Sequence, residues 1–195
     1  MSVCGTPRLR RGATVWLTGL PGAGKSTIAT TVATMLRDDV PTEVLDGDEL
    51  RATISSELGF SAEDRNIHVR RVGFIAELLA SHRILTLVPV IAPLADARSA
   101  VREHHRRCGT DFLEVYVSTP VAECVRRDPK GLYARALAGE LTGLTGVGAD
   151  YEQPSTPDLL LDTTDIDATV AAARVLHLLA DRQLLDGVPT DGPNS

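Results

Sequence analysis

The sequence lacks the paired cysteines that a disulfide framework needs. Its three cysteines, Cys4, Cys108 and Cys124, are odd in number, far apart and in no metal-ligand spacing. They read as reduced thiols in a reducing cytoplasm, with Cys108 and Cys124 expected as buried structural thiols. No apolar stretch approaches the ~20 residues of a membrane helix. The basic N-terminal residues Arg8, Arg10 and Arg11 precede no apolar run long enough for a signal peptide. A cytoplasmic protein is the expectation. An excess of positive charge is missing too. The net charge of −6 argues against a general role on nucleic acid or membrane surfaces. Any bound polyanionic nucleotide must therefore meet a local positive site. No Asn-Lys-x-Asp guanine signature occurs, which disfavours a GTPase switch.

What the sequence does hold is concentrated at residues 13–27, ATVWLTGLPGAGKST. An apolar run (Val15, Trp16, Leu17) predicts a short buried strand, a glycine-rich turn follows, and a helical pattern begins after Lys25. Gly19-x4-Gly24-Lys25-Ser26 matches the phosphate-loop pattern G-x-x-x-x-G-K-[ST] in the strand–loop–helix context that it requires. Gly19, Gly22 and Gly24 let the backbone turn its N–H groups inward around a phosphate. The positive end of the next helix adds to that anion site. Lys25 is placed to reach the β- and γ-phosphates, and the Ser26 hydroxyl to bind Mg²⁺. A nucleoside triphosphate is the expected ligand.

At 195 residues the chain fits one domain, able to bury roughly 70% of the surface its unfolded form exposes. Residues 1–12 read as a flexible lead-in, 13–185 as a single phosphate-loop domain and 186–195 as a flexible tail. Strands are predicted at 13–18, 42–45, 84–91, 112–117 and 159–161. Helices are predicted at 25–37, 48–57, 61–83, 96–108, 119–127 and 170–184. Ser61 and Asp64 form a capping-box pattern, and Thr119-Pro120 resembles an N-cap followed by a first-turn proline. Pro89 suggests a bend or ladder gap near the end of its strand. Residues 128–157 carry little apolar periodicity; a segment of that length without a sheet strand reads as a functional lid, at about 128–150, or else as a disordered stretch. Alternating strands and helices predict an α/β fold with a doubly wound, mainly parallel five-stranded sheet. Its ligands belong beyond the carboxyl ends of the strands. The loops at 19–26, 46–51, 91–98 and 119–131 then surround one crevice.

Asp46-Gly47-Asp48 falls at such a strand end, so both carboxylates should face the phosphate site. Phosphoryl transfer needs metal charge near the γ-phosphate and a group that orients or deprotonates the attacking hydroxyl. The pair can supply both needs, and which aspartate is the base stays open. The bland alternative is an Asp turn with Asp48 capping the next helix. Arg51, Arg65, His68, Arg70 and Arg71 cluster beyond that strand and can hold a second anionic substrate. A solvated helix face explains Arg70 and Arg71 equally well. Phe60, in a polar glycine-flanked loop, either stacks on a flat base or anchors the loop in the core.

With these residues in view, the chain resembles the adenylyl-sulfate kinases. The stretches GLPGAGKST, LDGDELR, LGFSAEDR, PVIAP, RDPKGLYARALAGE, GLTG and Tyr151-Glu152-x-Pro154 follow the family's order across about residues 13–162. The resemblance implies transfer of the ATP γ-phosphoryl group to the 3′-hydroxyl of adenosine 5′-phosphosulfate. It implies a nucleotide site at Gly19, Gly22, Ala23, Gly24, Lys25, Ser26, Thr27 and Arg127, with Ser26 on Mg²⁺. Lys25, Asp46 and Asp48 would be catalytic. Asp48, Arg51, Phe60, Arg65, His68, Ile91, Lys130 and Leu144 would hold the acceptor, with Phe60 stacked on its adenine, Arg51 and Arg65 on its anionic groups and Lys130 reaching in from the lid. The same resemblance makes a homodimer and an ATP sulfurylase candidate partners. This sequence departs from the family in several places. His68 stands for an Asn, Leu94 for a Tyr, Thr142 for a Lys and Leu144 for a Phe. Ala92 stands where many members carry serine, so no phosphoserine can form there. Two alternatives remain: a phosphate-loop kinase for another small hydroxylated acceptor, and a non-catalytic nucleotide-binding partner of a sulfurylase.

Overall fold

The structure is a computed structural model that describes residues 6–187. In chain order the elements are β1 (Arg8–Leu9), β2 (Ala13–Gly19), α1 (Lys25–Leu36), β3 (Thr42–Val44), α2 (Gly47–Ile54), α3 (Ala62–Ser81) and β4 (Leu85–Pro89). There follow α4 (Ala95–Cys108), β5 (Asp111–Val117), α5 (Val121–Arg127), α6 (Leu132–Leu137), β6 (Leu159–Leu161), α7 (Ala168–Asp181) and β7 (Leu185–Asp186). Five strands form a sheet in the order β3-β4-β2-β5-β6, and each neighbouring pair is parallel. This is the doubly wound α/β sheet that the alternating pattern predicts.

The central strand shows why. Every residue of β2 is buried, and its side chains alternate between two cores. Ala13, Val15 and Leu17 pack with Ile28, Val32 and Leu36 of α1 and with Ala171, Val175 and Leu179 of α7. Trp16 points to the other face, among Val69, Val72 and Ala76 of α3, Val101 of α4 and Phe112. Helices α3 and α4 cross closely at Gly73, where an added Cβ would lie 2.5 Å from Val101 Cγ2. Pro89 closes β4 opposite Leu17, and a missing N–H is tolerated at a strand's end.

Several expectations need correction. Arg8 and Leu9, expected in the lead-in, pair antiparallel with Asp186 and Leu185. The Arg10–Asp186 ion pair at 2.8 Å joins the same two segments. Chain termini become ordered when a strand ties them down. The expectations for 1–5 and 188–195 lie outside the described residues. Ser61 does cap α3, accepting from Asp64 N at 3.1 Å, while the Asp64 carboxylate meets its hydroxyl at 2.7 Å. Asp46, not Asp48, caps α2 by accepting from Asp48 N at 2.9 Å. Thr119 caps nothing, because its hydroxyl donates to the Ala23 carbonyl instead. The segment expected as a lid or else disordered contains α6 and a bridge between Thr145 and Ala149. Cys124 is buried as expected, but Cys108 is exposed: it ends α4 on the solvent side. No described helix is long and apolar enough to cross a membrane.

Candidate active site

The loop between β2 and α1 is shaped by its glycines at two points in particular. At Gly19 (φ 149°) an added Cβ would meet the Val117 carbonyl oxygen at 2.3 Å, so only glycine lets β2 run this close to β5. Gly24 takes φ 102° and opens α1 with no side-chain cap. The first-turn N–H groups of α1 are thus left directed at the loop, the arrangement that receives an anion.

Lys25 lies inside this turn. It is 8% exposed, and its ammonium donates to the carbonyls of Gly19 (2.9 Å) and Leu20 (2.7 Å). Burial pulls its pKa down to about 8, against the pull of Asp48 and Asp46 toward the charged form. The Ser26 hydroxyl donates to Asp46 Oδ2 at 2.9 Å, while Oδ1 of the same carboxylate takes the Asp48 N–H. The capping bond aims Asp46 at Ser26. Asp48 is ion-paired with Lys130, which lies on the segment after α5. Both aspartates and both lysines line one cleft of about 820 Å³ together with the phosphate loop.

The opposite wall of the cleft comes from α2, α3 and the segment near residue 143. Phe60 is 71% exposed, which excludes a role as a core anchor. The Arg51 guanidinium sits 5.1 Å from its ring centre, and Arg51 also donates to Gly59 O at 2.9 Å. Arg65 donates to Phe60 O (2.9 Å), Thr145 Oγ1 (2.7 Å) and Gly143 O (2.7 Å), tying α3 to the GLTG turn. His68 is 2% exposed. Its ring nitrogens lie 3.0 Å from Ser55 Oγ and 3.1 Å from Gly47 O. Burial and the nearby Arg51 charge lower its pKa to about 4, so it stays neutral. Both nitrogens thus have protein partners, and His68 bridges α2 and α3 at the lining of the cleft. Ile91 and Leu144 line the cleft as well. Arg127 borders the loop and holds Thr163 through Oγ1 (2.8 Å) and the carbonyl (2.6 Å). Ala23 is buried, and Thr27 lines the cleft. Arg70 and Arg71 lie elsewhere, beside a groove with Ile54 and Phe74. Arg71 pairs with Glu57 at 2.6 Å.

Supporting residues escape a sequence reading because their partners are distant in the chain. Thr119 and Thr163 both donate to the Ala23 carbonyl, at 3.2 and 3.0 Å. Tyr133 donates to Pro21 O at 3.0 Å, holding α6 against the phosphate loop. Tyr151 meets Thr18 Oγ1 at 2.9 Å, and Thr18 donates to Ile91 O. Arg98 ties the same loop by donating to Ala92 O (2.6 Å) and Glu152 O (2.6 Å). The one available signal was the isolated Tyr151-Glu152-x-Pro154 run.

A phosphate loop, an acidic pair and a cation-lined second wall in one cleft define a phosphate-loop phosphotransferase. The comparison with known proteins narrows this. The chain belongs to the adenylylsulphate kinase family, whose model matches residues 11–162. It is 46% identical over 176 residues to an adenylyl-sulfate kinase of Myxococcus xanthus, covering 90% of this chain and 95% of that one. It is 48% identical over 170 residues to the bifunctional enzyme CysN/CysC of Mycobacterium tuberculosis, but spans only 28% of that longer protein. Among solved structures, the Mycobacterium tuberculosis APS kinase CysC in complex with AMPPNP and APS superposes with a TM-score of 0.85 at 47% identity. That match covers 87% of this chain and 98% of the other. The chain is an ATP-dependent kinase of this family.

Proposed function

We propose that the chain transfers the γ-phosphoryl group of ATP to the 3′-hydroxyl of adenosine 5′-phosphosulfate, giving ADP and the 3′-phosphorylated nucleotide. The observation that carries this reading is the Ser26–Asp46 contact at 2.9 Å, which puts an acidic pair at the mouth of the phosphate loop. The hydroxyl and carboxylate oxygens there are the hard donors that Mg²⁺ prefers, and Ser26 and Asp46 would hold it, directly or through water. Bound there, the ion would neutralise charge on the β- and γ-phosphate oxygens.

The remaining work falls to the chain's own groups. The loop amides and the Lys25 ammonium hold the triphosphate. Phe60 offers an open ring face for the acceptor's adenine, and Arg51 stands over that ring to meet its anionic groups. In the transfer the bond from the 3′-oxygen to phosphorus forms as the bond from phosphorus to the β-phosphate oxygen breaks. The hydroxyl proton passes to Asp46 or Asp48. Lys130, paired with Asp48 in the free protein, would meet the acceptor from the segment after α5. Such an acceptor comes from an adenylylation of sulfate, which makes an ATP sulfurylase a candidate partner, alongside a second copy of this chain.

Lys25→Ala and Asp46→Ala test the assignment. Each should lower kcat by at least about 100-fold, the scale of losing a preorganised charge at a transferring group. Circular dichroism should remain that of the wild type. Wild-type turnover in either variant would overturn these roles.

A further inference from the structure

A second cluster of reactive side chains lies outside the cleft, between α3 and α4. Their close crossing at Gly73 and Val101 continues one helical turn further on each helix. That turn brings Glu77 of α3 to His104 of α4, with Nε2 to Oε2 at 3.7 Å. Cys108 follows His104 at i+4 on the same helix face, with Sγ 4.0 Å from His104 Nδ1. One ligand atom from each of the three residues falls within 4.8 Å of the others.

The cluster is poorly satisfied as it stands. Glu77 is 7% exposed, and among the described residues its carboxylate accepts one hydrogen bond, from the Thr110 hydroxyl at 3.5 Å. His104 Nε2 is buried without a hydrogen-bond partner among the described residues. A carboxylate withdrawn from water beside an unpartnered imidazole nitrogen is costly unless something compensates both. Phe74 stacks on the His104 ring at 5.9 Å and fixes its plane. Cys108, by contrast, is exposed and gives the cluster a route to solvent.

We propose that Glu77, His104 and Cys108 form a second metal site, for Zn²⁺ or a similar transition ion. A mixed nitrogen, sulfur and carboxylate set suits such ions and disfavours Mg²⁺ and Ca²⁺, which take oxygen ligands. On binding, the thiol's S–H bond gives way to a sulfur–metal bond and the proton leaves to solvent. One thiolate, one carboxylate and a neutral imidazole then leave a divalent ion with no net charge. The fourth position faces water. The ion would clamp the C-terminal halves of α3 and α4, away from the phosphate loop.

Co²⁺ added alone to chelator-treated, phosphine-reduced protein reads the site directly. The wild type should show a near-ultraviolet thiolate-to-cobalt charge-transfer band and visible bands of four-coordinate cobalt, both erased by Zn²⁺. Cys108→Ser should lose the charge-transfer band, and Glu77→Gln should weaken binding by about an order of magnitude or more. Cys4→Ser should keep the band. Because Cys108 is exposed, its serine variant should fold and keep wild-type kinase turnover. No band in the wild type, a band that survives Cys108→Ser, or one that follows Cys4 would overturn the site.

Discussion

Lys25 is subject to two opposed demands, burial inside the loop and a positive charge for the triphosphate. Burial lowers its pKa from 10.5 to about 8, so the free protein loses this charge as pH rises through that value. Bound phosphate favours the ammonium, so ATP affinity should fall above about pH 8, by up to about tenfold per pH unit. Calorimetry should show proton uptake on binding in the same window, and an affinity flat to pH 9.5 would contradict this. For stability the sign is opposite. Between about pH 8 and the ordinary value of 10.5 the unfolded chain binds the extra proton, so Lys25 adds stability as pH rises there. His68 acts likewise from about pH 4 to 6.5: it holds fewer protons folded, so acid weakens the fold. Phe60 is separable from all this because it is exposed. Phe60→Ala should raise the acceptor KM about tenfold, the scale of one lost base stack. The ATP KM and the thermal midpoint should stay near wild type, and an unchanged acceptor KM would remove the ring from the site.

At the scale of elements, the segment from α5 to Tyr151 lines the cleft and is tied across it by a few bonds. Lys130 pairs with Asp48, Arg65 holds the turn at Gly143 and Thr145, and Tyr133 pins α6 to Pro21. Hydrogen exchange across about 128–150 should slow when both nucleotides are bound, since closure keeps water from the transferring group. Equal protection with and without them would contradict a lid. This segment also shows where a sequence stops being legible. The cap at Ser61 is local chemistry and forms as predicted, although Asp64 reaches back to the Ser61 hydroxyl rather than to its backbone N–H. Helix α6 spans only Leu132–Leu137, too short for a 3.6-residue period to stand out between glycines. Thr119 looks like a cap until the carbonyl of Ala23, far away in sequence, claims its hydroxyl.

At the scale of the whole molecule, the parallel sheet gathers the functional loops at one edge. A continuous apolar strand, a glycine turn and a helix suffice to predict that arrangement, because right-handed crossovers leave few topologies. The acidic pair follows from the same rule, as both aspartates come just after β3, Asp46 capping α2 and Asp48 in its first turn. What local pattern could not reveal was pairing across the molecule. Arg8 meets Asp186 in a two-residue strand that carries no periodicity. The three cysteines compared among themselves show no ligand spacing, whereas His104, Cys108 and the distant Glu77 meet only through the crossing of two helices.

The central claim concerns the acceptor, and the product tests it. The protein with MgATP and adenosine 5′-phosphosulfate should yield ADP and an equal amount of a nucleotide whose new phosphorus signal couples to the ribose 3′-proton. Turnover confined to another hydroxylated acceptor, or ADP release with no phosphate on the 3′-oxygen, would contradict it.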